Sequence, residues 1–104
     1  MIKVTYETDK GQFTSLEIKG HAQSAKPGKD LVCSAVSAVT FGGLNALANP
    51  SKTLVIEVSE GYVLITKNGA IVKEDEIVIK TILTQLETIA RDYPKYVKIS
   101  RKEK

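Results

Sequence analysis

A chain of 104 residues, 42% hydrophobic and 26% charged, is the size of one soluble domain (1–104) with a single core and two packed layers. Fifteen basic against twelve acidic residues leave a net charge of +3, a mild excess concentrated in the tail Lys98–Lys104. That tail reads first as solvated, and direct nucleic-acid binding is the lesser reading. One cysteine excludes an internal disulfide, and no Cys/His cluster suits zinc or another metal.

Ile2, Val4 and Tyr6 alternate with polar residues, the period of a half-buried strand. Thr8-Asp9-Lys10-Gly11 is a turn cluster, and Thr14 to Lys19 resumes the alternation through Leu16 and Ile18, so residues 2–19 predict a hairpin. Phe13 falls on the other parity, which points to a bulge or a wet aromatic. Gly20 ends the second strand, where a missing side chain admits another backbone or a ligand. Residues 21–29 carry no periodicity and read as a loop.

Asp30 suits the N-cap of a helix running from Leu31 to about Ala48, stopped by Asn49-Pro50. Val32, Val36, Val39, Gly43 and Leu47 make one apolar stripe on it. Leu31, Ala35, Ala38, Phe41 and Leu44 cover much of the rest, so a second helix or a partner subunit should cover that side. Gly42-Gly43 costs roughly 1 kcal/mol per glycine relative to alanine, tolerable if the glycines permit close packing on the sheet; a local break is the competing reading. Thr53–Val58 and Tyr62–Thr66 predict a second hairpin around Ser59-Glu60-Gly61. Glu74-Asp75-Glu76 opens a second long helix, where acidic residues suit the macrodipole. Tyr96–Ile99 is a short last strand. The predicted class is α+β, in the order ββαββαβ, with two helices on a largely antiparallel sheet. The opening residues lack the apolar run of a signal peptide and no window approaches a membrane span, which points to the cytoplasm.

Cys33 and His21 are the sole thiol and the sole imidazole, together enough for a nucleophile and its base. The bland reading of Cys33 is a small core hydrophobe. The functional reading takes Cys33 as the third helical residue, near unpaired N–H groups and the positive dipole end, which stabilise a thiolate. Asp30 either caps the helix or orients His21. Ser34 and Ser37 either donate hydrogen bonds at the site or form a small polar stripe under a close contact.

At these residues the sequence resembles the ribosomal-processing cysteine protease family, Prp. The shared pattern is Gly20-His21-Ala22, a short loop, then Gly28-x-Asp30-x-Val32-Cys33-x-Ala35-Val36-Ser37, with Tyr93-Pro94-Lys95-Tyr96-Val97 near the end. The resemblance implies a cytoplasmic bacterial endopeptidase without cofactor. Its substrate is the extended N-terminus of large-subunit ribosomal protein twenty-seven. It also implies Cys33 as nucleophile, His21 as general base, a homodimer, and a substrate-binding lid of residues 22–29 flanked by Gly20 and including Ala22 and Gly28. The rival readings are a non-catalytic peptide- or ribosome-binding module and a small RNA-associated domain.

Overall fold

The structure, a computed structural model, describes residues 1–20 and 27–104, with the backbone alone for residues 27–30. β1 (Ile2–Asp9) and β2 (Gln12–Lys19) form the first hairpin. Lys10 and Gly11 both take positive φ, 53° and 80°, in a two-residue turn of the mirror-image kind whose twist suits a hairpin. The register slips between Glu7 and Thr8. This bulge brings Phe13 back to the core face, where it is buried with its ring 5.8 Å from that of Tyr6.

The chain continues through α1 (Pro27–Asn45), the short α2 (Pro50–Thr53), β3 (Leu54–Ser59), β4 (Tyr62–Lys67), α3 (Lys73–Asp92) and β5 (Val97–Glu103). The described strands form one sheet in the order β3-β4-β2-β1-β5. All its pairings are antiparallel except that of β1 with β5, which is parallel. Alternate strand residues (Ile2, Val4, Tyr6, Leu16, Ile18, Val63, Ile65, Val97) join one core with Val32 and Val36 of α1 and Ile79, Ile82, Leu83 and Leu86 of α3. The class is α+β, as the element order predicts. Both long helices cover one face of the sheet, and among the described residues no helix covers the other.

Several boundaries depart from expectation. α1 starts at Pro27, not Leu31. Proline at the first helical position lacks only an N–H that would find no partner there, so Pro27-Gly28 opens the helix instead of ending a loop. Asp30 is therefore in the first turn and is not the N-cap. Gly28 lies within α1, so it is not part of a loop. Counted from Pro27, Cys33 is the seventh helical residue, not the third.

β5 also runs longer than the sequence suggests. The tail taken as solvated pairs with β1 from Ile2↔Val97 to Thr8↔Glu103. Arg101 holds Glu87 of α3 through Nε and Nη2, each at 2.9 Å. The Glu103 carboxylate accepts from the Gly11 N–H at 2.9 Å and from the Thr8 hydroxyl. α2 was not expected, because Asn49-Pro50 reads as a stop although Pro50 can begin a new turn.

α1 passes unbroken through Gly42-Gly43. A Cβ on Gly43 would stand 2.3 Å from Cγ1 of Ile82, whereas one on Gly42 would meet nothing within 4 Å. The close neighbour that Gly43 admits is thus α3, not the sheet. Beyond α1 the backbone is tightened by Ala46 N–H to Gly43 O (2.9 Å) and Leu47 N–H to Leu44 O (3.3 Å). The N–H groups of Ala48 and Asn49 donate to the Asp75 carboxylate at 2.6 and 3.2 Å. Asp75 is wholly buried at the start of α3, and this pairing is what makes a buried carboxylate tolerable there. No helix among the described residues is long and apolar enough to cross a membrane.

Ile82 is itself buried, so Gly43→Val should cost about 1–3 kcal/mol by overpacking. Gly42→Ala should be neutral or stabilise by up to about 1 kcal/mol through helix propensity. Urea unfolding midpoints of the two variants against the unaltered chain check the contrast.

Candidate active site

β2 is the central strand of the sheet, and Gly20 ends it. Its φ is +113°, and a Cβ there would lie 2.3 Å from the Met1 carbonyl oxygen. The close backbone approach expected at this glycine is thus made by the first residue of the chain. The Gly20 N–H donates to Gly61 O at 2.9 Å, which ties the end of β2 to the β3–β4 turn.

α1 passes over this end of the sheet. Val32 and Val36 are driven into the core at 1% and 5% exposure. With 3.6 residues per turn, that orientation puts Cys33, Ser37 and Phe41 on the adjoining flank. There they line a cleft of about 350 Å³ together with Val36 and Thr40. The opposite wall is Ile2, Ile18, Gly20 and Val63, and the β3–β4 turn (Ser59, Glu60, Gly61, Tyr62) closes one end. Cys33 is half-buried and packs at the edge of the core. The walls are largely apolar and the polar groups few, the usual make-up of a site for an organic ligand.

Cys33, Ser37 and Gly20 are thus brought to one cleft. Ser34 is exposed and does not line it. His21 and Ala22 lie outside the described residues, as does the rest of the predicted loop through residue 26. No group of three His, Cys, Asp or Glu among the described residues is arranged to hold a metal.

Thr40, Phe41, Glu60 and Tyr62 were not singled out in the sequence. Thr40 and Phe41 follow Cys33 by seven and eight positions, so helical periodicity alone would have found them. The β3–β4 turn joins the site only through packing of the folded chain. Thr40 Oγ1 is buried without a hydrogen-bond partner among the described residues. Tyr62 donates its phenol to Glu17 Oε2 at 2.9 Å. That hydrogen bond, then burial and the charges of Glu17 and Glu57, raise the Tyr62 pKa above the ordinary 10.0.

A sequence model of the cysteine protease Prp family matches residues 1–98. The chain belongs to the Prp family. It is 36% identical over 99 residues to the ribosomal processing cysteine protease Prp of Bacillus subtilis, covering 88% of each chain. It is 35% identical over 91 residues to the Prp of Mycoplasma genitalium, covering 82% of this chain and 85% of that one. Among solved structures it is similar to Prp from S. aureus in complex with a substrate peptide. The TM-score is 0.84 at 26% identity, covering 97% of this chain and 99% of the other. The S. aureus enzyme with a covalently linked product peptide gives a TM-score of 0.83 at 28% identity over the same shares. The expected family is therefore correct, and this member of the Prp family is a cysteine protease.

One measurement probes the cleft and another the turn at its end. Thr40→Val removes a buried unpaired hydroxyl at nearly constant shape, so it should leave stability unchanged or raise it by about 1 kcal/mol, read as a thermal midpoint. The phenol of Tyr62 should titrate above 10.0 by ultraviolet absorbance, and Glu17→Gln should lower that midpoint. Because the folded-state value is the raised one, the stability due to Tyr62 is complete below pH 10 and is lost as pH climbs through the raised pKa.

Proposed function

We propose that the chain is the endopeptidase that removes the N-terminal extension of large-subunit ribosomal protein twenty-seven, with Cys33 as nucleophile and His21 as general base. The observation that carries the reading is a half-buried Cys33, the sole cysteine, on the wall of an apolar cleft in a chain of the Prp family. The peptide bound to the S. aureus relative and the ribosomal-processing names of the bacterial relatives support the substrate class. A product peptide covalently linked to that relative supports a covalent route. Such a substrate would be met in the cytoplasm.

His21 takes the proton from Cys33 Sγ, and the thiolate adds to the scissile carbonyl carbon. The protonated imidazole gives that proton to the leaving amine as the C–N bond breaks, leaving a thioester. Water, deprotonated by His21, then displaces the sulfur, and the thiolate recovers the proton. The early start of α1 changes two supporting roles. Orphan N–H groups lie in the first turn, at 28–30, and the dipole's influence fades within it. Thiolate stabilisation therefore falls mainly to the imidazolium of His21. The Ser37 hydroxyl, one turn beyond Cys33 in the cleft, is the donor for the oxyanion, and losing such a donor typically costs about 10²–10³ in rate. Asp30, relieved of capping and three positions before Cys33, is the orienting carboxylate for His21. Ser34 is a helper at the exposed rim. The substrate-binding lid is the segment between Gly20 and Pro27, including Ala22.

A homodimer would cover Leu31 and Phe41, which stand 61% and 42% exposed on α1, together with exposed Ala38. α3 packs against α1 at Gly43, through Ile82.

Cys33→Ala should bind the extended ribosomal protein yet leave it uncut, with a rate loss of at least about 10³; unimpaired cleavage would sink the nucleophile assignment. His21→Ala should likewise leave the extended protein uncut.

A further inference from the structure

The open face of the sheet carries a charge pattern that the peptidase reading does not use. Lys3 pairs with Lys19 on one side and with Lys98 on the other, so three ammonium groups stand in one row across β2, β1 and β5. All three side chains are exposed. At the usual spacing of neighbouring strands the row is about 10 Å long. The sole ion pair among the described residues is Arg101 with Glu87, elsewhere. Like charges placed directly opposite one another weaken a sheet, so folding alone gives no reason for the row. Tyr62 extends it, paired with Lys19 and half-buried. The row beside it, with Glu17, Thr5 and Ser100, supplies a carboxylate that the Tyr62 phenol already engages.

We propose that this row is a docking track for the phosphate backbone of RNA. Lysine is a compact point charge that binds phosphate without demanding a fixed geometry, and three in one row match a polyanion whose charges repeat along its backbone. Arg101, the arginine of β5, lies on the opposite parity from Lys98 and is bound to Glu87. An aromatic ring beside lysines on an open sheet face is also the arrangement on which single-stranded RNA stacks its bases. Neighbouring Glu17 and Glu57 repel phosphate, so the backbone crosses the strands along the lysine row and contacts about three phosphates.

The test is fluorescence anisotropy of a labelled single-stranded RNA of about a dozen nucleotides, titrated with the full chain from about 50 mM potassium chloride upward. Three contacts at about 0.7 each predict a slope near −2 for log affinity against log salt. Lys3→Glu/Lys19→Glu/Lys98→Glu should weaken binding by at least about tenfold at the lowest salt, and the matching glutamine variant should flatten the slope. Lys52→Glu/Lys80→Glu, which alters exposed lysines away from the row, should bind as the unaltered chain does. The proposal is overturned by the absence of salt-dependent binding, or by equal losses in the control variant. Equal affinity for polyglutamate or for anionic lipid vesicles would overturn it as well. None of these readouts depends on peptide cleavage.

Discussion

The burial of Val32 and Val36 is the constraint from which the site follows. Two β-branched side chains one turn apart can enter the core at only one rotation of α1 about its axis. Once they do, the helical repeat sends Cys33 and Ser37 to the flank, whatever their own preferences. The same rotation leaves Leu31 and Phe41 outside. A cysteine in so apolar a helix would ordinarily be packing material, and here its neighbours' stronger claim on the core turns it towards the cleft. Gly43 serves that arrangement from the far end of the helix: its missing side chain lets α3 press against α1 and hold the rotation.

Much of the fold was legible because period and turn chemistry agree locally. The β1–β2 hairpin follows from Ile2, Val4 and Tyr6 against Leu16 and Ile18, and even the parity error at Phe13 marked the bulge. α3 follows from Ile79, Ile82, Leu83 and Leu86 behind an acidic first turn. Two of the misreadings share an origin in residues that can either break or begin an element. Pro27 and Pro50 look like punctuation in sequence but open helical turns, because the amide they lack is one a helix start leaves unpaired. Lys98 to Glu103 looks like a solvated tail because its charges hide the alternation of Val97 and Ile99. Only β1, about ninety residues away, supplies the backbone partner that makes it a strand.

The site was legible in its chemistry and less so in its walls. The uniqueness of Cys33 drew attention without help from structure, and Gly20 announced a close approach that proved to be with Met1. The predicted dipole assistance to Cys33 failed through a boundary four residues out, a small error for a fold and a large one for electrostatics that act within a single turn. The β3–β4 turn could not be foreseen as a wall, since its residues carry no signal of their own. They reach α1 only because β4 lies beside β2.

The parallel pairing of β1 with β5 sets an order on synthesis. β1 is made well before its outer neighbour β5, so a nascent chain halted after α3 displays the backbone groups of β1 to anything passing. Until Val97–Glu103 emerges, that edge is an invitation to foreign strands. The clasp of Glu103 over the β1–β2 turn then shuts it, making β5 the bolt on a door that β1 left open.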